Sequence, residues 1–182
     1  MALAQGAGIS AVARAYQETG EHRYIDTAEQ AFQAFRHDLK DGGVCYTDES
    51  QDVWLEEAIV DPPTHILNGF IWALWGVHDY FLLTGDSEAR SLYGRCVRTI
   101  SHNLHRFDTG FWSLYELSGT RLKMLASPFY HRLHVVQLQI MHRLTGDMVF
   151  QQYAQRWETF QRRRLNRALS LVYKGLFKLL YY

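Results

Sequence analysis

The sequence predicts an all-α fold of repeated αα-hairpins, with short β segments in the loops between them, and two observations carry that expectation. A tripeptide recurs: Thr19-Gly20-Glu21, Thr84-Gly85-Asp86 and Thr145-Gly146-Asp147 each separate two long segments with the apolar spacing of a helix. Glycine tolerates the left-handed turn that ends a helix, and an acid one residue later suits the N-terminus of the next. The second observation is the contrast between these hairpins and their linkers. Both linkers open with an acid and a glycine and then turn aromatic and β-branched, the signature of a turn running into a short strand. Repetition at intervals of about 60 to 65 residues marks an internal repeat and sets the linkers at one end of the assembly. That arrangement fits part of an (α/α) toroid with a cleft in its rim loops. Stacked helical hairpins also build solenoids, so periodicity alone does not choose between them.

Taken in order, Ile9, Val12, Ala13 and Tyr16 follow helical spacing before the first tripeptide, and Ile25, Ala28, Ala31, Phe32 and Phe35 follow it afterwards. The first linker runs from Asp41 to Pro63. The second hairpin joins 66–83 to 89–104, and the second linker runs from Asp108 through Trp112 and Tyr115 to Ser127. The third hairpin joins 129–144 to 149–160. Beyond Phe160, apolar residues Leu165, Ala168, Leu169, Val172, Leu176, Leu179 and Leu180 recur at helical spacing. Arg162, Arg163, Arg164, Arg167, Lys174 and Lys178 lie among them, which makes a basic amphipathic helix. The expected domains are the αα-hairpin assembly over 1–159, a partial toroid on the resemblance given below, and this helix over 160–182. Its apolar stripe is expected to pack on the edge of the toroid; the functional alternative is peripheral contact with an anionic membrane.

Composition narrows the function classes. At 182 residues, 47% hydrophobic and with three prolines, the chain can bury one sizeable core. Its five Trp, eleven Tyr and ten Phe serve that core first and also suit stacking on sugar rings. No run of about 18 apolar residues appears, so no membrane-spanning helix is expected, and no charged-then-apolar leader is recognised. Cys45 and Cys96 lack metal spacing and read as free thiols in a reducing, cytoplasmic compartment. The net charge is zero but uneven: 1–155 hold 12 Lys/Arg against 18 Asp/Glu, while 156–182 hold seven against one. An acidic body excludes the basic footprint of nucleic-acid binding. It also disfavours a heavily sulfated polyanion over one bearing carboxylates. The nine histidines are scattered and suggest no metal site.

The segment from Ser127 to Gln139 carries the most chemistry. Pro128 suits the first turn of a helix, and Tyr130 and His134 then fall four residues apart on one face. A phenol and an imidazole presented together can move protons.

That segment, with Trp54-Leu55-Glu56-Glu57, Leu67-Asn68-Gly69-Phe70, Tyr115-Glu116-Leu117 and Gln137-Leu138-Gln139, resembles the C-terminal catalytic region of the D-glucuronyl C5-epimerases. The similarity runs from about Ala4 to about Trp157. It implies an (α/α) toroid of which this chain is the second half, completed by N-terminal helices or by a homodimer partner. It also implies an activity: inversion of C5 of D-glucuronic acid residues within a polysaccharide, without a redox cofactor. Abstracting a proton beside a carboxylate needs a base on one face, an acid on the other, and cations or donors at the carboxylate oxygens. The resemblance assigns the proton chemistry to Tyr115, Tyr130 and Glu57. His131, His134, Asn68, Arg121 and Trp112 are the expected substrate contacts. Two positions depart from the family pattern. Ala58 stands where a tyrosine is usual, and Ser118 where an arginine is, leaving Arg121 as the nearest cation. A non-catalytic carbohydrate-binding or scaffolding relative is therefore the alternative, and a glycosidase or uronate lyase a third reading.

Overall fold

The computed structural model describes residues 1–181 and is predominantly helical. Its elements are α1 (Ala2–Thr19), α2 (Arg23–Arg36), β1 (Cys45–Thr47), β2 (Val53–Leu55), α3 (Leu67–Thr84), α4 (Ser87–Asn103), α5 (Pro128–Thr145), α6 (Met148–Arg162) and α7 (Arg164–Tyr181). The predicted all-α class is what the chain adopts. Two compact units divide it, one of 1–65 with 69–100, the other of 66–68 with 101–182.

The three hairpin turns share one local solution. Gly20, Gly85 and Gly146 take left-handed backbone at φ 70°, 72° and 73°. Each glycine N–H donates to the carbonyl four residues back, on Tyr16, Phe81 and His142, at 2.8 Å. The preceding threonine hydroxyl donates to Ala15, Tyr80 or Met141 and accepts the N–H of the acid that follows the glycine. One short side chain thus back-bonds the carbonyl four residues earlier and satisfies the N–H of the following acid at the start of the next helix. Asp86 and Asp147 then cap the next helix through the N–H groups of Ala89 and Val149. Glu21 does not: its longer side chain turns to Arg23, and α2 begins without a side-chain cap.

In the first unit, β1 and β2 pair antiparallel with Tyr46 opposite Trp54. Ile9, Phe32, Trp54, Phe70, Ile71, Leu74 and Val77 are buried there. Helices α1 and α3 cross at glycine: a Cβ on Gly76 would stand 2.2 Å from the Cα of Gly6. In the second unit, Leu104, Phe107, Trp112, Leu114, Leu138, Met141, Phe150 and Trp157 form the core.

Two expectations are corrected. The second linker forms no strand among the described residues, only single bridges between Asp108 and Ser113 and between Leu114 and Leu125. The Asp108 carboxylate bends the chain locally at the Gly110 N–H and is held by Arg156 and the Trp157 indole N–H, at 2.6 and 3.1 Å. The second correction concerns α7, whose apolar stripe does not pack. Its buried residues are Ser170 and Phe177, while Leu165 is 78% and Leu179 84% exposed. The helix docks through polar anchors instead, Asn166 on the Phe111 carbonyl and the Leu122 N–H on the Tyr181 hydroxyl.

Candidate active site

The entry to α5 is fixed by its cap. Ser127 is extended, its hydroxyl accepts the Tyr130 N–H at 3.3 Å, and Pro128 occupies the first turn. This sets Tyr130 at the mouth of the helix, where its ring meets that of Tyr115 edge to face, 4.9 Å between centroids. Tyr115 is positioned by its backbone: its N–H donates to the Met124 carbonyl, and its carbonyl accepts the Leu67 N–H. The two tyrosines that the family resemblance singled out, 15 residues apart in sequence, are therefore neighbours in the second unit.

The residues on either side of Tyr115 line a cavity of about 180 Å³ together with Arg106, Leu117, Ser118 and Lys123. The lining carries two cations, Arg106 and Lys123, against the one carboxylate of Glu116, a net positive charge that suits an anion such as a carboxylate. Sequence reasoning had named Arg121, which is exposed and does not line this cavity. It also missed Phe129, 70% exposed and edge-on to Tyr130 at 5.3 Å. A signal existed: the buried stripe of α5 runs through His131, His134, Val135 and Leu138, and a helical wheel puts Phe129 opposite it.

Four other expected substrate contacts lie in the core. Trp112 is buried, stacked on His131 at 3.8 Å, with its indole N–H on the Ala126 carbonyl. Asn68 is buried, its carbonyl accepting from the Gln137 side chain. His131 and His134 are both 0% exposed. The Ser113 N–H donates to His131 Nδ1, so that nitrogen is an acceptor, and His131 Nε2–H donates to the Trp157 carbonyl at 2.9 Å. Ser113 Oγ lies 2.8 Å from His131 Nδ1 and 3.0 Å from His134 Nδ1. A relay from His134 Nδ1–H to Ser113 Oγ–H to His131 Nδ1 satisfies those three groups. Burial holds both imidazoles neutral, lowering His131 to about 4 and His134 to about 3. These side chains shape the unit that carries the tyrosines, and contact with a polymer would require that core to open.

Glu57 belongs to the first unit. Its carboxylate lies against Gly69 at the start of α3, where a Cβ would meet Oε2 at 1.9 Å. Only glycine leaves room for the acid there. Glu57 Oε2 is buried with no hydrogen-bond partner in the structure, and burial raises the carboxyl above its usual range. A carboxyl in that condition exchanges protons at higher pH than a solvated one. Its neighbour Glu56 is fully buried and engaged: His65 Nδ1 stands 2.5 Å from one oxygen, and the His65 N–H donates to the other at 3.1 Å. His65 stacks on Trp54 at 4.1 Å, and its positive φ of 51° shows that the pair holds a backbone a histidine rarely adopts.

Comparison with known proteins identifies the family. Residues 1–159 match the family model described as D-glucuronyl C5-epimerase C-terminus. The D-glucuronyl C5-epimerase of Caenorhabditis elegans is 32% identical over 171 residues, covering 86% of this chain and 28% of that protein. An uncharacterized protein of Methanocaldococcus jannaschii, MJ1128, is 31% identical over 160 residues, 86% of this chain and 50% of its own. The chain thus spans half or less of the curated relatives it matches. By a family match over most of its length, the chain belongs to the D-glucuronyl C5-epimerase C-terminal family.

Proposed function

We propose that this chain carries the proton-transfer chemistry of a carbohydrate epimerase, inverting C5 of D-glucuronic acid residues within a polysaccharide. The observation that supports this most is the Tyr115–Tyr130 pair, 4.9 Å between ring centroids, beside a cavity lined by Arg106 and Lys123. In this reading a phenolate oxygen takes the C5 proton, and the electron pair of the broken C–H bond delocalises onto the C6 carboxylate. The added charge on that carboxylate is what the two cations offset, an interaction stronger in the transition state than in the ground state. A proton donor on the opposite face of the sugar returns a proton to C5, so the substrate is inverted without net oxidation. Glu57, with its carboxyl raised by burial, belongs to the first unit and is a separate candidate for proton exchange.

A second reading rests on Ala58, where family members carry a phenol. Loss of one acid–base group costs on the order of 10²–10⁴ in rate, and in that case the chain binds uronate polymer without turning it over. Incubation with a glucuronate-containing polysaccharide in D₂O separates the readings. Deuterium at C5 with inversion is the expected result, and Tyr130→Phe is expected to reduce it about 10²–10⁴-fold with circular dichroism unchanged. An unsaturated product would indicate a lyase. Binding without exchange would leave the non-catalytic reading standing.

A further inference from the structure

Helix α7 is held to the second unit by one face and presents another outward. Asn166, Ser170, Phe177 and Tyr181 make the inner face, through the two anchoring hydrogen bonds and the two buried side chains already described. Leu165, Leu169, Val172, Leu176 and Leu179 recur at steps of four and three and are all exposed, between 52% and 84%. A helix that belongs wholly to a core buries such a row. A row of five apolar side chains over about four turns, left open, marks a docking surface.

The charge on the face across the helix from the row says what covers it: an apolar face backed by a basic one is the pattern of a helix lying at a membrane interface. Arg163, Arg164, Arg167 and Lys178 are exposed and Lys174 is half-buried, while no Asp or Glu occurs from 159 to 182. On the helix Arg167, Lys174 and Lys178 fall on the side away from the row, and two copies laid row against row would leave them with no carboxylate from either helix to offset them. An apolar protein groove would satisfy the leucines and leave the cations without a counterpart. An apolar interior bounded by anionic phosphates satisfies both. The segment also lies past residue 159, where the family match ends, so the row is not owed to that family's common core. Residues 1–155 are acidic, 12 Lys/Arg against 18 Asp/Glu, and an anionic surface would repel them while attracting α7.

We propose that α7 is an amphipathic anchor that seats the protein on an anionic lipid bilayer. Its leucine row enters the acyl boundary, and its arginines and lysine meet the headgroup phosphates. No helix among the described residues is long and apolar enough to cross a membrane, so α7 lies along the surface.

The test is co-sedimentation of the full chain with phosphatidylcholine vesicles and with vesicles of roughly one-third phosphatidylserine. Pelleting is expected with the anionic vesicles and not with the neutral ones, and it is expected to weaken as salt screens the headgroups. Leu169→Glu with Leu176→Glu changes two exposed side chains and leaves the anchoring face intact, so the fold should persist by circular dichroism while pelleting is lost. Arg164→Gln with Lys178→Gln should lower partitioning about 30-fold, from two cations removed near the lipid. Three results overturn the proposal: no pelleting with anionic vesicles, equal pelleting with neutral ones, or unchanged pelleting of the leucine variant. A self-associated species that Leu169→Glu dissociates also overturns it, since a second copy then covers the row.

Discussion

Acidification from pH 8 to pH 5 should destabilise the second unit through His131 and His134, and the size of the effect follows from their burial. Both rings are fully buried, and desolvation brings them from an ordinary value of about 6.5 down to about 4 and about 3. The backbone hydrogen bond to Trp157 and the Asp108 charge oppose the shift on His131, while the neighbouring His131 adds to that on His134. The unfolded chain binds protons at both imidazoles as pH falls through about 6.5, and the folded chain does not until near 4. Stability therefore drops in that window. At pH 5 each histidine contributes a loss of about 2 kcal/mol, so about 4 kcal/mol together. That is a large share of the roughly 5–15 kcal/mol available to a folded domain. His131 cannot accept a proton without cost, because the Ser113 N–H already points at its Nδ1.

Urea unfolding followed at pH 8, 7, 6 and 5 measures the loss, and the midpoint should fall by more than about 1 M across the range. Tryptophan emission is a suitable probe, since Trp112 stacks on His131 and Trp157 stands against both imidazoles. The raised carboxyl of Glu57 works with the opposite sign, favouring the folded state as pH falls, so a site-specific readout is needed beside the global one. Imidazole proton resonances supply it: those of His131 and His134 should not titrate above about pH 5 in the folded protein. A midpoint independent of pH between 8 and 5, with these two rings titrating near 6.5, would refute the burial argument.

What was legible in the sequence was what is decided locally. The three Thr-Gly-acid turns announce themselves because the threonine hydroxyl, the glycine φ and the acid all act within a few residues. The strand expected after Asp108 failed because the partners that hold its carboxylate, Arg156 and Trp157, lie 48 and 49 residues away. The site shows the same division. Tyr130 and His134 do share a helix face, as their spacing requires. Yet the face runs from the rim of the core at Tyr130 to its interior one turn later, so one residue meets Tyr115 while the other is sealed beside Ser113. Periodicity locates a face and not the depth at which it is buried. It likewise revealed the leucine row of α7 without revealing that the helix would dock by Asn166, Ser170 and Phe177.

Two further outcomes probe the site and the frame that carries it. Ala58→Tyr restores the phenol usual in the family and should raise C5 deuterium exchange; an unchanged rate in an active protein would mean that other groups already carry that proton. The crossing of α1 and α3 is tested by two glycines of one helix. Gly8→Ala adds a methyl group with nothing within 4 Å and gains the helix preference of alanine over glycine, about 1 kcal/mol, which should raise the melting temperature by about 2–4 °C. Gly6→Ala gains the same preference, but its methyl would stand 2.7 Å from the Ala73 Cα and 2.9 Å from the Ala73 carbonyl oxygen. Those are backbone atoms of α3, so relief requires moving a helix rather than rotating a side chain. Overpacking of this kind costs about 1–3 kcal/mol and should outweigh the gain, lowering the melting temperature while Gly8→Ala raises it. Equal stabilisation by both substitutions would show that α1 and α3 do not meet at Gly6.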